Sequence, residues 1–221
     1  PMADSPVTAI TDIMIANNAL AVFAGGAIMA FDEETDLAAA VNAAYVDAIE
    51  TCLAAHPWTF ALKTASLEQL ADAPPNGYRY AFQLPGDRIG LPIAILPSPR
   101  GRDRLRDFTI EGDRLCADCK PLWAGYRCRP AVTAWPSAFR LFATRALAAQ
   151  LAVPVSQDVN LAAAPDQEAW GAASKDRRGG LILKALTQDL SHPGPQPLWA
   201  SDPLTDAWYG GGSYGAWYGG L

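Results

Sequence analysis

The sequence predicts an α+β fold: a helical bundle domain formed by both chain ends, an inserted small antiparallel β domain, and an extended C-terminal tail. Three observations predict it. Apolar residues recur at helical spacing in residues 5–57 and again in residues 136–190. Short apolar segments bounded by Pro and Gly, with strand-like alternation, fill residues 58–135 between them. Beyond residue 190 the composition turns to proline, then to glycine alternating with aromatics, so residues 191–221 read as a tail. With 221 residues, 50% of them hydrophobic and 18% charged, the chain can bury a sizeable core without help from disulfides or metals.

Ser5-Pro6, a capping residue followed by proline at a first helical position, opens the first helix, which runs through Ile10, Ile13, Met14 and Leu20. Gly25-Gly26 breaks the chain. A second helix starts near Asp32 to Asp36, where carboxylates complement the positive end of the helix dipole, and its core face is Leu37, Val41, Tyr45, Ile49 and Leu53. His56-Pro57 closes it, because a residue before proline is pushed out of the helical region. Trp58, Phe60 and Leu62 then alternate as a strand would place them. Further strands are expected at Tyr78 to Leu84, Asp107 to Ile110 and Trp123 to Arg127, with Glu111-Gly112-Asp113-Arg114 as the turn of a hairpin returning through Leu115. After Pro136 helical spacing resumes with Phe139, Phe142, Ala146, Leu147 and Leu151 until Pro154 stops it. A last helix is expected from about Pro165 to Leu190, kinked at Gly179-Gly180.

Seventeen Lys plus Arg against 23 Asp plus Glu give a net charge of -6, which disfavours wrapping duplex DNA through phosphate neutralisation and favours a neutral or basic protein partner. The longest apolar stretch, Ala19 to Phe31, falls short of the about 20 residues that span a bilayer, and no membrane association is expected. The first six residues lack the basic region of a signal peptide, so the expected location is inside a cell. Cys52, Cys116, Cys119 and Cys128 are expected to be reduced thiols.

Several motifs resemble chemistry and fail on context. Gly210, Gly212 and Gly215 have dinucleotide-loop spacing, but too few residues follow for the helix that must receive a pyrophosphate. Gly211-Gly212-Ser213-Tyr214-Gly215 matches a nucleophile elbow, yet His56 and His192 both precede the serine, whereas the triad order requires a histidine after it. Cys116-x-x-Cys119 with Cys128 offers three thiolates to zinc without a fourth ligand at recognisable spacing, so no metal site and no cofactor are expected. No nucleophile, base and oxyanion donors converge, and no catalytic residue is assigned. Arg100, Arg102, Arg104 and Arg106 recur every second residue; an extended chain presents them on one side, either as a solvated loop or as a contact for nucleic acid or an acidic protein surface. In the tail, Trp208, Tyr209, Tyr214, Trp217 and Tyr218 can bury large rings but have no aliphatic core of their own, which marks them as partner-binding residues.

At His56-Pro57-Trp58-Thr59-Phe60-Ala61, after an amphipathic helix with an acidic first turn, the chain resembles the HPW-x-FA signature of phage head-to-tail adaptor proteins, the tail tubular protein A family. Tyr80, Leu84-Pro85 and Asp87 are similar to that family's Y-x-LP-x-D strand, and Phe108 to Gly112 to its strand and turn before a hairpin. Phe139 to Ala152, followed by Pro154-Val155-Ser156, resembles its penultimate helix and turn. The resemblance covers about residues 8–190; the Arg100 to Arg106 loop looks like an insertion and the aromatic tail is outside the family pattern. The compact, alanine-rich character is similar to members from gene transfer agents. The resemblance implies a dodecameric ring beneath the portal protein, meeting a tail-side stopper or tail protein, with DNA passing through its channel without sequence-specific binding. It places the chain in a virion or gene transfer agent particle, at a head-tail junction assembled in the bacterial cytoplasm. His56, Pro57, Trp58 and Phe60 are architectural in this reading. The alternative is a nucleic-acid-binding module of a prophage-like element that uses the Arg100 to Arg106 loop.

Overall fold

The computed structural model describes residues 10–23, 25–99, 104–158, 160–172 and 179–191. The fold is α+β, with five helices and small antiparallel sheets among the described residues, which fall into two units. The helical unit takes the described residues of 1–63, 86–93 and 126–191; the β unit takes 64–85 and 94–125.

Helix α3 (Ser137–Ser156) is the axis of the helical unit, in contact with α1 (Asp12–Leu20), α2 (Asp36–Ala54), α4 (Asn160–Trp170) and α5 (Gly180–Leu190). Its sequence explains that position. Phe139, Phe142, Ala143, Ala146, Leu147, Ala148 and Leu151 are all buried, so apolar or small residues cover most of its circumference, as a central helix requires. Ser137, Leu141, Gln150, Val153 and Pro154 are its exposed residues, and Arg140 and Arg145, flanking Leu141 on one stripe, are half-buried. Thr11 caps α1 by accepting the Met14 N–H at 3.3 Å, and Thr35 caps α2 by accepting the Ala38 N–H at 3.2 Å. Val41, Tyr45, Ile49 and Leu53 of α2 are buried as their spacing requires, whereas Leu37 is half-buried.

In the β unit, β2 (Glu68–Gln69), β3 (Tyr80–Gln83), β6 (Arg114–Ala117) and β5 (Thr109–Glu111) form an antiparallel sheet in that spatial order. Phe82 faces Leu115 across β3 and β6, and Glu111 faces Arg114 across the hairpin. Gly112 turns the chain at φ 60°, a left-handed conformation that favours glycine. A three-stranded sheet has the order β1 (Leu62–Ser66), β7 (Trp123–Arg127), β4 (Ala94–Leu96), with Leu96 opposite Trp123.

Four expectations are corrected. The first described helix begins at Asp12, with Ile10 and Thr11 outside it; Ser5-Pro6 lies outside the described residues. Trp58 to Phe60 is not strand: Thr59–Ala61 forms a 3-10 turn and β1 starts at Leu62, because Trp58 points into the helical core instead of alternating across a sheet. Pro154 does not stop α3, which continues to Ser156 and ends at Gln157 with φ 55°; so near the end, a proline removes little of the hydrogen-bond ladder. The single kinked helix from Pro165 to Leu190 is two helices, α4 and α5. Gly171, at φ 94°, follows α4, and the start of α5 lies so close to the end of α4 that a Cβ on Gly180 would sit 2.6 Å from the Glu168 carbonyl oxygen. Glycine is therefore required at Gly180 by close approach.

Candidate functional site

The segment His56 to Ala61 leaves α2 and turns at once into the core. Trp58 is fully buried, and its indole N–H donates to the Cys52 carbonyl at 2.9 Å, which satisfies a donor that burial would otherwise strand. Its ring meets Phe139 edge-on at 5.1 Å, and Phe60 meets the same Phe139 at 4.8 Å. Phe139 in turn stands against Trp135 and Phe142, and Phe142 against Trp170 of α4. An aromatic cluster thus joins the exit of α2 to α3 and α4.

The polar half of the same segment is held by Asp189 of α5. Only 4% exposed, its carboxylate accepts the Thr59 N–H at 3.1 and 3.2 Å and the Thr59 hydroxyl, with the His56 Nε2 at 3.9 Å. Burial holds the His56 pKa below its usual 6.5, against the pull of Asp189 and with help from the nearby positive charge of Arg127. The sequence reading missed Asp189. Its one signal is a carboxylate four residues after Ala185 on the inward face of α5, where an apolar residue is expected.

Asp87, from the segment similar to Y-x-LP-x-D, accepts the Lys63 ammonium at 2.7 Å and the Tyr126 hydroxyl at 2.8 Å. The Lys63 hydrogen bond is the largest cause lowering the Asp87 pKa, and the Asp87 hydrogen bond raises that of Lys63. Tyr80, from the same segment, has the Lys120 ammonium 4.6 Å from its ring centre. A second polar group lines an open cleft of about 490 Å³, where Asp12 accepts the Tyr45 hydroxyl at 2.8 Å and pairs with Arg129 at 3.3 Å. Burial, then the Asp12 carboxylate, pushes the Tyr45 hydroxyl pKa upward. These pairings hold the side chains that make them in fixed positions.

Arg104 and Arg106 are exposed on either side of half-buried Leu105, whose N–H donates to the Ile95 carbonyl at 2.8 Å; Arg100 and Arg102 lie outside the described residues. Trp208, Tyr209, Tyr214, Trp217 and Tyr218, His192 and both glycine motifs also lie outside them. Cys52 and Cys116 are buried, Cys119 and Cys128 half-buried, and all four are free thiols. Among the described residues no three His, Cys, Asp or Glu side chains group so as to hold a metal ion. α2 has the length and mean hydropathy of a membrane span, but a buried core helix meets the same criterion, and Val41, Ile49 and Leu53 are fully buried in the helical unit. No protein-family model matches the chain, and no curated protein matches it.

Proposed function

We propose that the chain is a structural head-tail adaptor: a ring-forming connector, dodecameric as in the family it resembles, that joins a capsid portal to a tail-side stopper or tail protein and leaves a channel for DNA. It acts in a virion or gene transfer agent particle and catalyses no reaction. One observation carries this reading. The residues that resemble the HPW-x-FA signature, His56, Pro57, Trp58 and Phe60, tie the exit of α2 to α3 and, through neighbouring Thr59, to α5, the architectural role expected of such a segment. The net charge of -6 suits a channel wall along which DNA phosphates slide without sticking. Trp208, Tyr209, Tyr214, Trp217 and Tyr218 are proposed as anchors on the portal, repeated around the ring so that modest contacts add up.

The test is the mass and shape of the full chain, alone and mixed with a portal protein. Rings with a central channel that attach to the portal are expected, and deletion of residues 203–221 should abolish attachment while leaving the helical unit folded. A chain that stays monomeric under both conditions overturns the assignment. Exposure of Arg104 and Arg106 favours the second reading, a nucleic-acid-binding module of a prophage-like element. Steeply salt-dependent DNA binding by the isolated chain, lost on replacing Arg100, Arg102, Arg104 and Arg106, would establish it instead.

A further inference from the structure

We propose that the helical unit carries both halves of a head-to-tail contact between copies: the loop before α2 on one copy docks on the exposed stripe of α3 and the adjoining face of α5 on the next. This rests on the ring reading above and names the surfaces that would close the ring. The loop is an ordered projection. Asn17 clamps Ile28, donating through Nδ2 to its carbonyl and accepting its N–H through Oδ1, both at 2.9 Å. Ile28 is buried, and Glu33 accepts the Met29 N–H at 3.0 Å. Between these fixed points Met29 is 85% exposed, so a long apolar side chain is held in water by backbone that has already been ordered. A pre-ordered apolar tip loses little entropy on docking, and methionine adapts to the shape of its socket. Asp32, Glu33, Glu34 and Asp36, all exposed, follow the tip.

The receiving surface has the opposite charge and its own apolar floor. Two grooves, of about 310 and 410 Å³, meet at Leu141 and Arg145 of α3; Met14 and Arg140 line the first, Leu181 and Lys184 the second. Leu141 is 47% exposed and Leu183, beside Lys184, 55% exposed. Arg145 is held by Glu168 at 2.9 Å, whereas Arg140 and Lys184 make no ion pair with another described residue. The loop and the grooves share no residue, as a heterologous contact that closes a ring requires. One surface offers an apolar tip with carboxylates behind it, the other an apolar floor edged by cations. A second copy of this chain supplies the match, with charges steering the encounter and Met29 seated over Leu141.

The test is a charge exchange in the full chain, followed by sedimentation and native mass. One variant carries Arg140→Glu and Lys184→Glu, the other Asp32→Lys and Glu34→Lys; unchanged circular dichroism establishes that each is folded. Each variant alone should need a concentration about tenfold or more higher than the unmodified chain to associate, because like charges face each other. An equimolar mixture should associate as the unmodified chain does, since every contact in an alternating ring then pairs opposite charges. Met29→Ser should weaken association without altering the fold. Association of either charge variant as in the unmodified chain, or a mixture no better than its components, overturns the interface while leaving the ring intact. An unmodified chain that is monomeric both alone and with a portal protein overturns the ring and this contact together.

Discussion

Thr59 donates its backbone N–H to both carboxylate oxygens of Asp189, at 3.1 and 3.2 Å, and its hydroxyl to the same carboxylate. A carboxylate this deeply buried stays in place only when donors replace the water it has lost. Because Thr59 sits in the segment that leaves α2 and Asp189 in α5, the contact fastens the first half of the helical unit to its last helix.

Replacing Asp189 with Ala should therefore destabilise the chain by about 2 kcal/mol, since the Thr59 N–H and hydroxyl both lose a charged acceptor. Thr59→Val, which keeps that N–H bonded and removes only the hydroxyl, should cost about 1 kcal/mol. The double variant should lose less than the sum, because both changes remove one interaction. Urea unfolding at a constant slope measures all three, and an Asp189→Ala midpoint equal to that of the unmodified chain would show the contact to be idle.

Gly180→Ala should be costly for two separable reasons. The backbone is at φ 59°, and the added methyl would lie 2.6 Å from the Glu168 carbonyl oxygen and 2.7 Å from the Gly171 nitrogen. Gly77→Ala isolates the first reason, for Gly77 has φ 92° and nothing within 4 Å of the added carbon. The Gly77 change is expected to cost about 1 kcal/mol and the Gly180 change about 3 kcal/mol or more. Equal melting shifts would mean that the close packing of α4 and α5 contributes nothing.

Thiol chemistry should divide the cysteines by burial. Cys52 is enclosed by the helical core, and burial pushes its pKa up to about 12, so almost no thiolate forms at neutral pH. A thiol reagent added to the native chain should modify Cys119 and Cys128 first, with Cys52 and Cys116 reacting only after unfolding. Peptide mapping of the labelled chain checks the order. The raised Cys52 pKa also has a consequence for stability: above about pH 9 the unfolded chain releases this proton first, so stability should fall as pH rises further.

The parts of this architecture that were legible in the sequence are those set by local chemistry. The spacing of Val41, Tyr45, Ile49 and Leu53 announces α2, and Gly112 between two short apolar segments announces the hairpin. What was not legible depends on long-range packing. Trp58, Phe60 and Leu62 alternate like a strand, yet the pocket formed by Phe139 and Phe142 draws Trp58 inward and tightens the next residues into a turn. Pro154 has the local character of a helix stop but falls in the last turn, where little is lost. Gly179-Gly180 marks a break, but its severity is set by α4, which lies against it. The Asp189 latch was hidden because its partner is 130 residues away and no periodicity links them.

The same latch gives the chain a pH dependence whose sign follows from His56. Burial lowers its pKa in the folded state; Asp189 opposes that effect, and Arg127 adds to it. The unfolded chain takes up this proton at the ordinary value near 6.5, before the folded chain does. Within that window the unfolded state binds more protons, so stability should decline as pH falls below about 6.5 and level off once the folded state is protonated too. The imidazole keeps contact with solvent, which screens the effect and makes the decline shallow. His56→Gln should flatten it, whereas Asp189→Asn, which removes the negative charge that favours protonated His56, should depress the pKa further and steepen the decline. Urea unfolding of the three chains between pH 7.5 and 5.5 tests the ordering, and a His56→Gln profile parallel to that of the unmodified chain would assign the pH dependence to other groups.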